Sequence, residues 1–320
     1  MEAIKNLRER SGAPIAEVKA ALTEASWDSE AAYQNLRKKG LAAAVKKATK
    51  RAAEGLVGFA SNSDSSGAVL VEVNSETDFV ARTEEFQSLV SSVAQAALAH
   101  CPTDRGASAE MAADALEGLQ LADGRSAGAA TQDVAGVLRE NIRLRRGHWL
   151  ACPGGVVGAY LHVSPQPGLG RMGALVALHS PSHPIDQSSR AEAEALGKQL
   201  CMHIVATRPQ YLDRGSVSAD VLEREREVLR QQGLKTGKPP VIVEKMVEGR
   251  LKKFYEEVCL LEQRFVMDDT QTISQVLRTS QLAKGTLQIP AFIRLQCGEG
   301  IESQPAMDFA AQVQQAVEAA

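Results

Sequence analysis

The pair Asp78-Phe79 joins a carboxylate to an aromatic ring where a predicted strand gives way to a predicted helix. The alternation of Val71 and Val73 with polar residues indicates the end of a half-buried strand, and Thr77 or Asp78 is suited to cap the helix. A phenylalanine at this junction either packs against its own domain or projects towards another molecule. Packing within the domain would stabilise the fold by about 1.5–3 kcal/mol. The local residues leave both interpretations open.

Motifs of covalent catalysis are missing from the sequence, which has no GxSxG, no GxxxxGK[ST] and no GxGxxG after a strand. His179 and His183 have the spacing of a helical metal pair, but Pro181 and Pro184 interrupt such a helix. The five cysteines are widely spaced and form no CxxC pair. We therefore expect no enzymatic activity, no cofactor and no metal site, and a reducing compartment.

A basic run, VKKATKR, brings Lys46, Lys47, Lys50 and Arg51 into one short stretch. Such a cluster can neutralise several phosphates and make binding depend on salt concentration. However, no aromatic residues alternate with these charges to stack on bases. We expect a solvated helix face here, and we do not expect direct binding of nucleic acid.

Composition favours a multidomain soluble protein without a strong charge bias. The chain has 320 residues, a formal net charge of −3, 44% apolar residues and 4% aromatic residues. This length favours more than one domain. The mild acidity differs from the basic composition of proteins that coat nucleic acids. No stretch approaches about 18 consecutive apolar residues, so we expect no transmembrane helix and no membrane partner.

The elements that must position these residues begin with a helical module. Two short amphipathic patterns, a break at Ser26-Trp27-Asp28 and a third pattern ending at Gly40 predict a three-helix bundle, followed by a basic helix that ends at Gly55. From Gly55 the apolar period becomes two and predicts a hairpin that leads into the helix after Thr77. The same order recurs over residues 154–206, which predicts two related halves packed side by side.

Three further segments complete the pattern. Residues 102–132 are rich in small and polar residues and are predicted to form a mobile insertion, and residues 137–149 are predicted to be helical. Segment 218–259 has a high charge density and an apolar seam at heptad-like spacing, broken by Gly233, Gly237, Pro239 and Pro240. It predicts an antiparallel helical hairpin that stands off the body.

These elements predict an α+β protein. Its predicted parts are a helical module at 1–54, a first core subdomain at 55–148, a second at 149–217 with 260–300, a hairpin at 218–259 and a carboxy-terminal helix at 301–320.

Five separated stretches resemble the elongation factor Ts family, the guanine nucleotide exchange factors of elongation factor Tu. In order, they are LRERSGAPIAEVKAAL (7–22), VEVNSETDFVAR (71–82), ENIRLRR (140–146), IVEKMVEGRLKKFYEEVCLLEQRFV (242–266) and FIRLQCGEGIE (292–302). Similar three-helix modules bind ubiquitin, so the first stretch alone is a weak signal. The order of all five is specific and covers nearly the whole chain.

The resemblance implies the same parts: an amino-terminal module, two core subdomains, a coiled-coil hairpin and a terminal helix. It further implies that Thr77, Asp78, Phe79 and Val80 enter the GTP-binding domain of elongation factor Tu and disturb its Mg²⁺ and nucleotide site. On this basis the outward interpretation of Phe79 is preferred.

Other contacts with elongation factor Tu are implied for Arg8, Ile15 and Lys19 of the amino-terminal module and for His203 of the second core subdomain. Two residues depart from the family pattern, with Ser75 where a cysteine is usual and Thr83 where an asparagine is usual. These departures put the side-chain hydrogen bonds around the loop in question, but they leave Asp78 and Phe79 in place.

Several alternatives stay open. The hairpin could serve self-association or docking, or be a solvated helical pair. The rival function is a ubiquitin-type or RNA-binding module without exchange activity. The sequence of residues 13–40 resembles that of organellar members of the family, which favours the mitochondrial matrix. Because the sequence shows no leader, a bacterial cytoplasm or a plastid is the alternative.

Overall fold

The computed structural model describes residues 2–47, 49–102, 106–181, 184–235, 239–280, 282 and 287–302. In chain order its helices are α1 (Glu2–Ser11), α2 (Ile15–Glu24), α3 (Ser29–Lys47), α4 (Glu84–Leu98), α5 (Ala113–Glu117), α6 (Ala127–Leu138), α7 (Gln187–Thr207), α8 (Ala219–Leu234), α9 (Pro240–Val258) and α10 (Ile273–Thr279). Its strands are β1 (Glu54–Ser61), β2 (Gly67–Ser75), β3 (Ala107–Ala112), β4 (Arg143–Ala151), β5 (Val156–His162), β6 (Leu169–Gly170), β7 (Met172–Leu178), β8 (Arg264–Phe265), β9 (Asp268–Thr272) and β10 (Phe292–Gln296).

Helices α1, α2 and α3 form the amino-terminal module around buried Leu7, Val18 and Leu22. The third helix is longer than expected, because Gly40 lies inside α3 instead of ending it. A Cβ atom added at Gly40 would lie only 2.8 Å from the carbonyl oxygen of Gly136. Glycine is therefore required where α3 crosses α6. The predicted basic helix begins as the end of this same helix, but it does not extend to Gly55, because α3 ends at Lys47 and Gly55 lies in β1.

The core has four layers, in the order helix, sheet, sheet, helix. Strands in the order β3-β4-β2-β1-β6 form one antiparallel sheet and β10-β7-β5 form a second. Val71 of β2 belongs to the cluster that packs on α4 through Phe86, whereas Leu70 on the opposite face packs with Leu175 of β7. Helix α7 covers the outer face of the second sheet through Leu200. The α+β prediction is confirmed, and the repeated order of two strands and a helix is present in both halves.

Two predicted segments have different structures. Residues 106–132, most of the segment predicted to be a mobile insertion, form β3, α5 and the start of α6, and Leu116 is fully buried in the first core. The predicted helix at 137–149 is wrong, because α6 ends at Leu138 and β4 begins at Arg143. The boundary expected at residue 149 therefore falls within β4.

Strand β2 is buried along its whole length, instead of half-buried. Its polar residue Glu72 is 0% exposed and accepts hydrogen bonds from Arg145 Nη1, Arg146 Nε and the Gly298 amide, each at 2.7 Å. A register shift in the pairing of β2 with β4 lets the two consecutive arginines reach one carboxylate. This network joins both sheet strands to the segment that follows β10.

Helices α8 and α9 form the predicted hairpin around buried Leu229, Val243 and Val247. A Cβ atom on Gly233 would lie 2.7 Å from Val243 Cγ1, so this glycine allows close helix packing and does not break α8. Val228, an apolar residue beside Leu229 on α8, is 51% exposed. Residues 236–238, which come between α8 and α9 in the sequence, and nearly all of the predicted helix at 301–320 lie outside the described residues.

All five cysteines are free and buried. Burial raises the pKa of the Cys152 and Cys259 thiols to about 11 and that of Cys297 to about 12. It also raises the pKa of Cys101 and, more strongly, of Cys201. Within the described chain, no helix combines the length and hydropathy needed to cross a membrane.

Candidate functional site

The candidate site is the loop Glu76–Thr83, which connects β2 to α4. After β2 ends at Ser75, the chain forms a short 3-10 turn, Val80–Arg82, and Thr83 then caps α4 by accepting from the Phe86 amide. The helix thus starts later than a cap at Thr77 or Asp78 predicts. Val80 is buried, 6% exposed, whereas Phe79 is 74% exposed. Adjacent residues of one motif therefore have opposite roles, with Val80 anchoring the loop and Phe79 facing solvent.

Asp78 and Arg82 form an ion pair beside the Phe79 ring. The Arg82 Nη2 to Asp78 Oδ2 distance is 2.6 Å, and the guanidinium carbon lies 5.9 Å from the centre of the ring. Both charged side chains are substantially exposed, so the pair adds little to folding stability. Its main structural effect is to keep a carboxylate and an aromatic ring together on one surface.

The two departures from the family pattern supply hydrogen bonds to the loop. The Ser75 hydroxyl donates to the Thr77 carbonyl at 2.9 Å, and the Thr83 hydroxyl donates to the Val80 carbonyl at 2.9 Å. Serine and threonine therefore stabilise both ends of the loop through their own side chains.

Thr77 is anchored by a residue that sequence reasoning did not single out. Its amide and hydroxyl donate to the two carboxylate oxygens of Glu140, at 3.0 and 2.6 Å. Glu140 lies in the stretch ENIRLRR, which resembles the family and was predicted to be helical. Its position after the end of α6 is what allows it to face the loop.

The three predicted contacts of the amino-terminal module lie on its surface. Arg8 is exposed on α1, while Ile15 and Lys19 are exposed one turn apart on α2. Ile15 is 45% exposed, which is high for an isoleucine. A surface that can contact a partner is therefore present at these positions, although the contact itself stays a prediction.

His203 does not lie on the surface, since it is 0% exposed within the second core. Its Nδ1 accepts from the Val266 amide at 3.3 Å, which places the proton of the neutral ring on Nε2, and Nε2 lies 3.0 Å from Gln263 Oε1. In this conformation the His203 side chain is not accessible, and its contact with a partner stays a prediction. The ring instead holds the backbone of Val266, whose side chain is 52% exposed.

Acid should destabilise the protein through His203. Burial lowers the pKa of the ring, and the hydrogen bond to Gln263 only partly opposes this effect. Below the unfolded-state pKa of about 6.5, the unfolded chain binds a proton that the native ring does not, so stability falls with pH down to the native pKa. One such group limits the slope to about 1.4 kcal/mol per pH unit. Urea unfolding of the wild type and His203→Asn at pH 7.5, 6.5 and 5.5 would measure it.

In the His203→Asn variant, the free energy of unfolding should depend less steeply on pH than in the wild type. Burial also lowers the pKa of His148, so His148→Asn serves as the matched variant and should remove a separate part of this pH dependence. An unchanged slope in His203→Asn would contradict the assignment of a neutral native ring.

The basic run supplies two residues with intramolecular contacts. Lys50 Nζ lies 3.4 Å from Glu76 Oε2, and Arg51 donates to the Ile301 carbonyl at 3.4 Å. The side chains of Lys46 and Lys47 lie outside the described part of the chain. The expectation that this run does not bind nucleic acid stays a prediction.

The fold and the site together define an α+β protein whose predicted site is an exposed loop anchored at both ends. The sequence model of a family described as "Elongation factor TS" matches residues 76–299. The chain therefore belongs to the elongation factor TS family, and the resemblance inferred from the five stretches is confirmed at this level.

Individual relatives cover nearly the whole chain. One is named "Elongation factor Ts, mitochondrial" from Ostreococcus tauri, 45% identical over 99% of this chain and 92% of its own length. Another, "Elongation factor Ts" from Rhodospirillum rubrum, is 46% identical over 97% of this chain and 96% of its own. A third, "Elongation factor Ts, mitochondrial" from Zea mays, is 42% identical over 96% and 82%.

Proposed function

We propose that this chain binds elongation factor Tu in its GDP-bound form and promotes release of GDP, so that GTP can enter. The observation that carries the proposal is the Phe79 side chain, 74% exposed in a loop whose flanking residues are hydrogen-bonded or buried. An exposed ring on a fixed backbone is suited to enter a pocket of a partner and become an interface hot spot. Membership of the elongation factor TS family supports the same conclusion.

Exchange of this kind needs no covalent chemistry. It needs a negative coupling, in which the factor binds most tightly when the GDP site is deformed and GDP in turn weakens the factor. A shift of about 10⁴ in affinity requires about 5.5 kcal/mol. Burial of one phenylalanine supplies only about 1.5–3 kcal/mol, so contacts elsewhere must supply the rest.

The proposed contacts divide into two groups. Arg8, Ile15 and Lys19 hold the nucleotide-binding domain of the partner, while Asp78 and Phe79 deform its Mg²⁺ and nucleotide site. Displacement of Mg²⁺ removes the charge that screens the nucleotide phosphates and weakens GDP binding further. This chain is then an exchange factor in protein biosynthesis, without a cofactor of its own.

Release of a fluorescent GDP analogue from purified elongation factor Tu tests the proposal. Substoichiometric amounts of the full chain should accelerate release many-fold, and saturating GDP should dissociate a preformed nucleotide-free complex. Retention on RNA at low salt, with no effect on GDP release, would instead support the nucleic-acid alternative and overturn the proposal.

Two finer parts of the proposal concern assembly and location. The hairpin exposes Val241 and Ile242, 70% and 46%, near its far end, which supports self-association through this segment. Light scattering at several concentrations would test self-association, and a monomer at all concentrations would contradict it.

The mitochondrial names of two relatives favour the mitochondrial matrix as the location, with a bacterial cytoplasm or plastid as alternatives. Detection of the chain only outside mitochondria of its source would contradict that location.

A further inference from the structure

The turn that follows α6 contacts three separate parts of the protein through three consecutive residues. Arg139 has a left-handed backbone, with φ of 57°, and its amide donates to the Ala135 carbonyl to close the helix. A non-glycine residue in this conformation is uncommon and bends the chain sharply. As a result the side chains of Arg139, Glu140 and Asn141 reach different neighbours.

Glu140 holds the loop through hydrogen bonds to Thr77. Both of its carboxylate oxygens accept from Thr77, Oε2 from the amide at 3.0 Å and Oε1 from the hydroxyl at 2.6 Å. Hydrogen bonds to an ionised carboxylate are stronger than neutral ones, and two of them fix direction as well as distance. Thr77 is two residues from Phe79, so this pair sets the backbone from which the ring projects.

Asn141 holds the residue before Thr77. Its amide donates to Glu76 Oε1 at 2.7 Å, and its side-chain amide donates to the Lys50 carbonyl. Lys50 in turn places its ammonium 3.4 Å from Glu76 Oε2. The first residue of the loop is thereby tied both to the turn and to the linker that leaves the amino-terminal module.

Arg139 connects the same turn to the amino-terminal module itself. Its guanidinium donates to the carboxylate of Glu17, and this hydrogen bond lowers the pKa of that carboxyl. Glu17 lies on α2 between Ile15 and Lys19. A second ion pair, between Arg37 of α3 and Asp133 of α6 at 2.8 Å, holds the module against the same helix.

We infer that the turn Arg139-Glu140-Asn141 positions the Phe79 loop relative to the amino-terminal module, and that Glu140 is a positioning residue acting through Thr77. The inference rests on the proposed exchange function. If module and loop engage one partner together, their relative placement must be set before binding. A loop free to turn would occupy the competent orientation only part of the time, and its effect would fall by that fraction.

Glu140→Gln tests this role with minimal change in shape. One side-chain oxygen remains, but the new amide group faces a Thr77 donor, so one charge-assisted hydrogen bond is lost. The maximal rate of GDP release at saturating factor should fall about tenfold, the value of one such bond. The factor concentration that gives half-maximal release should change little, because the grip of the module is intact. Glu117→Gln, at an exposed glutamate on α5, is the matched control and should behave as the wild type.

The Phe79→Ala background separates positioning from a general structural role. If Glu140 acts by directing the ring, Glu140→Gln should have little further effect once the ring is absent. Thr77→Val, which removes only the hydroxyl donor, should reproduce part of the Glu140→Gln loss and not add fully to it. Thermal melting by circular dichroism accompanies each variant.

These outcomes distinguish the inference from the proposed function. An inactive wild-type chain would overturn the proposed function. An active wild type with a Glu140→Gln variant that matches Glu117→Gln would overturn the positioning role alone. An equal loss with and without the Phe79 ring would also overturn it, as would a large fall in melting temperature in both Glu140→Gln and Thr77→Val.

Discussion

The Phe79→Ala variant should release GDP from elongation factor Tu about 30-fold more slowly than the wild type, the effect of losing an interface hot spot of about 2 kcal/mol. Its affinity for the nucleotide-free partner should fall less, because the module residues still bind. Folding should be almost unaffected, since a side chain that is 74% exposed contributes little packing. Stopped-flow release of a fluorescent GDP analogue, paired with calorimetric titration of the nucleotide-free partner, measures both quantities.

Val163→Ala is a suitable control for this measurement, because Val163 is 59% exposed and lies outside the proposed contacts. It should exchange at the wild-type rate. Lys19→Ala provides the opposite pattern, with weaker binding and a nearly normal maximal rate. A Phe79→Ala variant that releases GDP at full rate would show that the ring does not deform the site.

The Glu72→Gln variant should lose about 3–5 kcal/mol of unfolding free energy, the usual result of removing one partner from a buried ion network. Arg145 and Arg146 would then be left near a neutral amide, while Gly298 would compete for its single oxygen. The buried Nη2 of Arg146 already lacks a hydrogen-bond partner among the described atoms, so weakening the Nε bond to Glu72 would add to an existing unsatisfied group. Urea unfolding followed by circular dichroism gives the change directly.

Glu262→Gln is the matched control, because Glu262 also makes two hydrogen bonds with an arginine, Arg214, at 3.0 and 2.8 Å. That pair is exposed, with 51% of the Arg214 side chain and 30% of the Glu262 side chain accessible. Its loss should cost no more than about 1 kcal/mol. Equal losses in the two variants would mean that burial of Glu72 does not govern the stability of the network.

The parts of the fold that follow local rules were predictable from the sequence. Helix α7, the helix expected at the end of the repeat over 154–206, spans Gln187–Thr207, and the hairpin expected at 218–259 contains α8 and α9. Their apolar patterns are long and regular. The loop carrying Phe79 was also located correctly, because a strand pattern stops there and a helical one begins. Its outward direction came from the family resemblance, since the residues alone allowed either direction.

The errors arise where distant parts of the chain decide the structure. The arginines of β4 conceal its strand pattern, because the register shift places Arg145 and Arg146 against one buried carboxylate. Gly40 resembles a helix end but is required by the crossing with α6. The burial of His203 was not visible in the sequence, because Val266 and Gln263, about 60 residues further along the chain, hold the ring inside the second core. Glu140 reaches the loop only because Arg139 before it has a left-handed backbone, and no local sequence pattern predicts that conformation.

Because its cysteines are free and buried, the chain can report its own local unfolding through thiol reactivity. With every thiol buried and its pKa raised, thiolate is scarce and out of reach of an alkylating reagent near neutral pH. Cys101 follows α4 and lies near Gly67 at the start of β2, and Cys297 follows β10. Cys201 lies on α7, and Cys259 follows α9. Alkylation of a given cysteine therefore identifies the region that unfolded locally, and no engineered label is needed.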